Sequence, residues 1–257
     1  MRALPLLLIV PFVTTAAGRT PHRPTADPTR KTVAVLSFTN GSGDAQYDPL
    51  GKGIAAMMIT DLSSVPSIEL VERERLNDIS GELQLQQSKM VDPATAASLG
   101  KLVGAQYVVT GAITALDPRV RLDTRVVRVE TGQIVKTAEV TGEQKKFFEL
   151  QQKLSKALIR GLDVALSPED SARLEKQQQD ERIDDLTVQL HYSQALDLFD
   201  RKQYVEAAAK MAGVVKEAPG SSLVRTTYKV MADRAKQEAR AKSTNKLKGW
   251  LKSKIDH

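Results

Sequence analysis

Gly41-Ser42-Gly43 follows an apolar run and precedes a helical pattern, the place where a dinucleotide-binding fold puts its phosphate loop. The fingerprint fails at its third glycine, which would be Gln46, and Asp44, Asp48 and Pro49 stand where phosphate would lie. Gly51-Lys52-Gly53 is no P-loop either: neither Ser nor Thr follows the lysine, and no earlier glycine has the right spacing. His22, His191 and His257 fall in an extended stretch, a helical stretch and the last position, so they do not make a metal site or a Ser-His pair. Glu69, Glu72 and Glu74 with Arg73 and Arg75 read as surface ion pairs at a strand end. Cysteine is absent, which removes disulfides, thiolate metal sites, a thiol nucleophile and a lipid-carrying cysteine together. These residues predict no catalytic, cofactor-binding or metal-binding side chain, and the expected protein is not an enzyme. A nucleotide-binding enzyme is the alternative from another class.

The elements that must position these residues begin with residues 31–74. Residues 31–38 are β-branched and apolar, the pattern of a strand buried on both faces. Residues 41–44 break it, and Asp48 before Pro49 predicts a capped helix start. Leu50, Ile54, Met57, Met58, Leu62 and Val65 repeat at helical spacing until Pro66. Residues 68–71 give a second strand, so the stretch is a β-α-β unit with a parallel pair. Leu76, Ile79 and Leu83 mark a further helix. Asp92-Pro93 starts another, with Ala96, Leu99 and Val103 buried and Gly104 as its stop. Residues 106–116, 119–130 and 134–141 then form an antiparallel meander. In its middle strand Val120, Leu122, Thr124 and Val126 share a face, and the switch at Val127 and Val129 predicts a bulge near Val126. Phe147, Leu150, Leu154, Leu158, Gly161, Leu162 and Ala165 give an amphipathic helix across the sheet.

Residues 1–18 read as a signal peptide, with Arg2 before an apolar run and small residues at 16–18; an uncleaved anchor is the alternative. Residues 19–30, with Pro21, Pro24 and Pro28, read as an extended tether. The net charge of +6 raises nucleic acid as a partner, but export argues against it, leaving a solvated basic surface or attraction to anionic lipid or polysaccharide.

The segments VAVLSFTNGSGD, YDPLGKGIAAMMITDLS, IELVERERL, VDPATAASLGKLVGAQYVVTGAIT and RVVRVETGQIV, in this order, resemble the domain shared by the CsgG curli-secretion family, its FlgO relatives and the amino-terminal domain of TolB. The resemblance covers residues 31–166. It implies an exported cell-envelope protein that works by assembly and contact, with no catalytic residues. Two departures stand out. CsgG is a lipoprotein, and this chain has no cysteine to acylate. CsgG also has long insertions that become membrane hairpins of a pore, where this chain has only Asp117-Pro118 and, after the third meander strand, residues 142–146. A membrane strand takes about 9–11 residues, so neither place holds a pair.

Residues 167–190 read as a solvated polar connecting helix, with Leu174 and Ile183 as rare apolar points. Residues 191–239 resemble a tetratricopeptide-like helical segment, with Ala195, Ala207 and Pro219 at its small and proline positions; a generic helical hairpin is the alternative. One repeat cannot bury its own face, so it must pack on the α/β domain, on a partner or on another copy of the chain. Residues 240–257 form a basic tail in which Leu247, Trp250, Leu251 and Ile255 are spaced as one apolar face beside Lys248 and Lys252. Such a helix suits an anionic membrane surface; a solvated tail or a helix capping the repeat are the alternatives.

The expected fold is α/β of the α+β kind: a mixed sheet of about five strands with flanking helices, then an all-helical extension. The expected protein is a periplasmic one, or one on the periplasmic face of the outer membrane. It acts in assembly or secretion without forming the pore; a curli-type pore subunit is the alternative. Its expected partners are envelope proteins, met through the α/β domain and the helical segment, and not nucleic acid.

Overall fold

The computed structural model describes residues 30–72, 76 and 91–255, with side chains described as far as residue 243. Strand β1 (Lys31–Val35) lies between β3 (Ile68–Leu70) and β4 (Tyr107–Leu116), parallel to both. β4, β5 (Arg119–Arg128) and β6 (Ile134–Glu143) form the antiparallel meander. A short β2 (Thr39–Asn40) adds a sixth strand parallel to β4, so the order is β3-β1-β4-β5-β6 with β2 beside β4.

The apolar run at 31–38 does not continue as one strand. Its ladder stops at Val35, and the Phe38 amide donates to the Gly51 carbonyl at 3.1 Å. The backbone bends there to meet helix α1 (Leu50–Ser63) and then returns to the sheet as β2. The start of α1 also differs from the sequence expectation. Asp48 accepts from Asn40 Nδ2 at 2.7 Å instead of capping α1, and Pro49 holds the cap position. Helix α2 (Pro93–Val103) follows its sequence signals: Asp92 accepts from the Ala94 and Thr95 amides, and Gly104 closes the helix at φ 73°. Of the helix expected from Leu76, Ile79 and Leu83, only Leu76 lies among the described residues, and it is buried.

The sheet is covered on both faces at its parallel end. Val33, Val35, Val109, Ile113, Val120, Leu122 and Val126 meet α1 and α3 (Phe147–Gly161) on one side. Ala34, Val108, Val127 and Val129 meet α2 on the other. Val127 and Val129 are therefore buried by ordinary strand alternation. A register shift does fall at Val126/Val127, but the extra residue, Val135, belongs to β6.

The helical extension is α4 (Pro168–Asp180), α5 (Leu186–Asp200), α6 (Tyr204–Glu217) and α7 (Ser222–Ile255). The segment expected to be solvated is not fully so: Leu174 and Gln178 of α4 are buried, and Ile183 enters the core between α5, α6 and α7. In that core Ala195 and Ala207 are fully buried beside Tyr192, Met211, Val224 and Met231. Small side chains at these places let the helix axes approach closely.

Candidate functional site

Helix α1 is the joint of the molecule. One side of it covers the sheet, and the other receives α5. The glycines around Lys52 make this double contact. A Cβ on Gly51 would lie 2.7 Å from the Phe38 carbonyl carbon, and closer still to its oxygen. A Cβ on Gly53 would lie 2.5 Å from Gln189 Nε2 and closer to Ser193 Oγ, both on α5. Lys52 projects between them to α5, where it pairs with Asp197 at 2.7 Å and Asp200 at 3.0 Å. Arg201 also holds Asp197, at 2.8 Å.

Beside this joint lies a cleft of about 510 Å³, lined by Phe38, Asn40, Asp48, Lys52, Asp197 and Arg201 among others. It sits at the carboxyl end of β1, the usual ligand position of an α/β sheet. Its polar groups, however, are engaged with each other. Asn40 Nδ2 bonds the Asp44 carbonyl and Asp48; the Ser42 amide bonds Asn40 Oδ1; Ser42 Oγ accepts from the Ala115 amide at 2.7 Å. Asp44 accepts from the Gln46 amide. The Asn40 side-chain amide and the Ser42 and Gln46 backbone amides are thus used to fix the loop's own shape, and both lysine and arginine face carboxylates. The arrangement brings no nucleophile beside a general base. What it can do is clamp the glycine loop, α1 and α5 together.

A second polar cluster was not legible in the sequence. Asp61, on α1, is fully buried where α3 and α4 cross it. It accepts from Gln151 Nε2 at 3.1 Å, from Gln178 Nε2 at 3.0 Å and from the Ser155 hydroxyl. Burial pushes its carboxyl up from the ordinary range, opposed by these hydrogen bonds. Glu181, just past α4, is pushed up to about 7, first by burial and then by the nearby Asp61, while Gln177 opposes the shift. The one available signal was Asp61 itself, an acid at a helical position between Met58 and Leu62 in an otherwise apolar run.

The remaining sequence candidates are placed apart. His191 Nδ1 meets Glu217 at 2.8 Å between α5 and α6; His22 and His257 lie outside the described residues. Glu69 is on β3 and Glu72 is exposed after it, while Arg73, Glu74 and Arg75 lie outside the described residues. Leu247, Lys248, Trp250, Leu251, Lys252 and Ile255 fall on the helical backbone of α7, and their side chains lie outside the described residues. Among the described residues no helix is long and apolar enough to cross a membrane.

With this geometry in view, the chain's likenesses fall into place. Residues 19–121 match the CsgG family, the curli production assembly/transport component. The match takes in β1 to β4 and so covers the joint's glycine loop and α1. A curated relative, a putative adenylate cyclase 3 of Rhizobium meliloti strain 1021, is 23% identical over 206 residues, 80% of this chain. The chain spans only 33% of that relative's length. Among solved structures, the carboxy-terminal domain of LpoB from Salmonella enterica aligns with a TM-score of 0.38 at 19% identity, over 46% of this chain and 87% of that one. Lipoprotein GNA1162 from Neisseria meningitidis aligns at 0.39 and 15% identity, over 53% and 99%.

Proposed function

We propose that the protein is an exported, non-enzymatic component of the cell envelope that acts in assembly or secretion through contacts with other proteins, without itself forming a pore. The observation that carries this reading is the CsgG match over residues 19–121 on a sheet whose later connections are short. β4 reaches β5 through Asp117-Pro118, and β6 reaches α3 through the turn Gln144–Lys146. A membrane-crossing strand takes about 9–11 residues, so a hairpin has no room at either junction. The cyclase activity in the relative's name belongs to a chain of which this one spans only 33%. Surfaces for partners remain on the open edge of β6 and on α6 and α7, where Val205, Tyr228 and Val230 are exposed.

Fractionation of tagged protein from intact cells, with and without residues 240–257, tests the reading. Full-length protein is expected in the envelope fraction, soluble without detergent once membranes are removed or salt is raised, and less membrane-associated without its tail. Recovery in the cytoplasm with the leader intact, or as a ring extractable only with detergent, would overturn it.

A further inference from the structure

The cluster around Asp61 has an imbalance of donors and acceptors. Its Oδ2 accepts from three neutral donors, Gln151, Ser155 and Gln178. Asp61 Oδ1, Gln151 Oε1 and Gln178 Oε1 are buried and accept nothing. The pocket therefore holds three acceptors in need of a donor. An ionised carboxylate there would be a buried charge with no counter-ion, the costliest form of the group. Turning either glutamine amide would set its oxygen against Asp61, which repels unless that carboxyl carries a proton. A proton on Asp61 turns one of these acceptors into a donor for another and removes the unpaired charge.

Glu181 completes the device. It stands three residues beyond Gln178, so it shares that side of the α4 turn. Its carboxyl receives only a long contact, 3.4 Å, from Gln177 Nε2. Its backbone ties α4 to the residue before α7: the Glu181 amide donates to the Gln177 carbonyl, and its carbonyl accepts from Ser221 Oγ at 2.9 Å. The surrounding charges are already paired. Lys156 of α3 holds Glu175 of α4, Lys176 holds Asp180, and Arg182 holds Asp184 while lying over the Phe148 ring. On α1 itself, Lys52 is taken by Asp197 and Asp200. Among the described residues no ion pair engages Asp61 or Glu181.

We propose that Asp61 keeps its proton at neutral pH and that, with Glu181, it forms a proton-operated latch holding α4, and through it the helical extension, against the α/β body. The docked state binds protons more tightly than an undocked one, because undocking returns both carboxyls to water. Docking is therefore strongest in acid. It weakens as pH rises above the ordinary carboxylate range, through both carboxyls until docked Glu181 ionises, which a neutral Asp61 brings below about 7, and through Asp61 alone above that. Two linked protons limit the slope to roughly a hundredfold in the undocking equilibrium per pH unit while docked Glu181 holds its proton, and one proton to roughly tenfold above that.

The test is amide hydrogen exchange on the full chain across about pH 5.5 to 8.5, corrected for intrinsic exchange, together with carboxyl-carbon NMR of Asp61. Protection of α4 is expected to fall across the range, by up to about a hundredfold per pH unit while docked Glu181 holds its proton and by up to about tenfold per pH unit above that, while α2 on the far face stays level. Glu181→Gln should lessen the slope of the α4 profile below pH 7 and leave the slope above it unchanged. The Asp61 carboxyl carbon should show the protonated shift at pH 7, and Asp61→Asn, which assigns that signal, should keep α4 protected. A flat wild-type profile, an unchanged slope below pH 7 in Glu181→Gln, or an ionised Asp61 at pH 7 would overturn the latch; the first two readings do not depend on Asp61→Asn folding.

Discussion

Gly51 and Gly53 stand two positions apart on α1, and so about 200° apart around its axis. One faces the Phe38 backbone and the other faces Ser193 of α5, with Lys52 reaching Asp197 between them. A glycine pair flanking a lysine invites a phosphate reading, and here close approach explains it instead. The two substitutions by alanine should therefore differ. Gly51→Ala meets a carbonyl that cannot move without breaking the Phe38–Gly51 hydrogen bond, so it is expected to destabilise by about 1–3 kcal/mol. Gly53→Ala meets side chains that can rotate, and its cost should be smaller and confined to the contact with α5. Urea midpoints of the two variants check this; equal losses would show that the α5 contact is as rigid as the Phe38 backbone.

The elements with strong periodicity follow from the sequence, and those whose buried faces are polar do not. The meander is legible because β5 alternates buried and exposed positions and its turns are short. Helix α2 is legible because Asp92 and Gly104 act at its ends as their types require. Asp48 carries the same Asp-Pro signal as Asp92, yet its carboxylate is taken by Asn40, a competitor across the glycine loop that no helix-start pattern announces. Helix α4 is misread as solvated because half of its buried face is an amide: Leu174 and Gln178 stand one turn apart on one side. Helix α3 shows the opposite case, with Leu150, Leu154 and Leu158 buried over β6 and α1. Leu158 is fully buried, so Leu158→Ala should cost on the order of 2–5 kcal/mol. A loss below about 1 kcal/mol, taken as the shift in urea midpoint multiplied by the m-value, would mean that this helix is only loosely seated on the sheet.

In the molecule as a whole, the extension is part of how the α/β body is held together. α1 is covered from both sides: its sheet side by the main core, its outer side by α5, with Ala56 packed into the core of the helical unit. Cutting the chain after Leu166 would remove Asp197 and Asp200 from Lys52, Gln178 from Asp61, and the helices over Ala56. Loss of one donor from a buried acceptor costs about 1–3 kcal/mol by itself, and the uncovered apolar surface adds to it. The truncated chain should therefore unfold at clearly lower urea than the full chain and bind an apolar dye at the exposed side of α1. The gap between the two chains should also widen as pH falls towards the ordinary carboxylate range, because the shorter chain lacks Glu181 and uncovers Asp61, and so loses the proton-linked part of the docking. An unchanged midpoint would mean that the extension merely hangs from the body, and that its packing on α1 contributes nothing to holding the sheet and its helices in place.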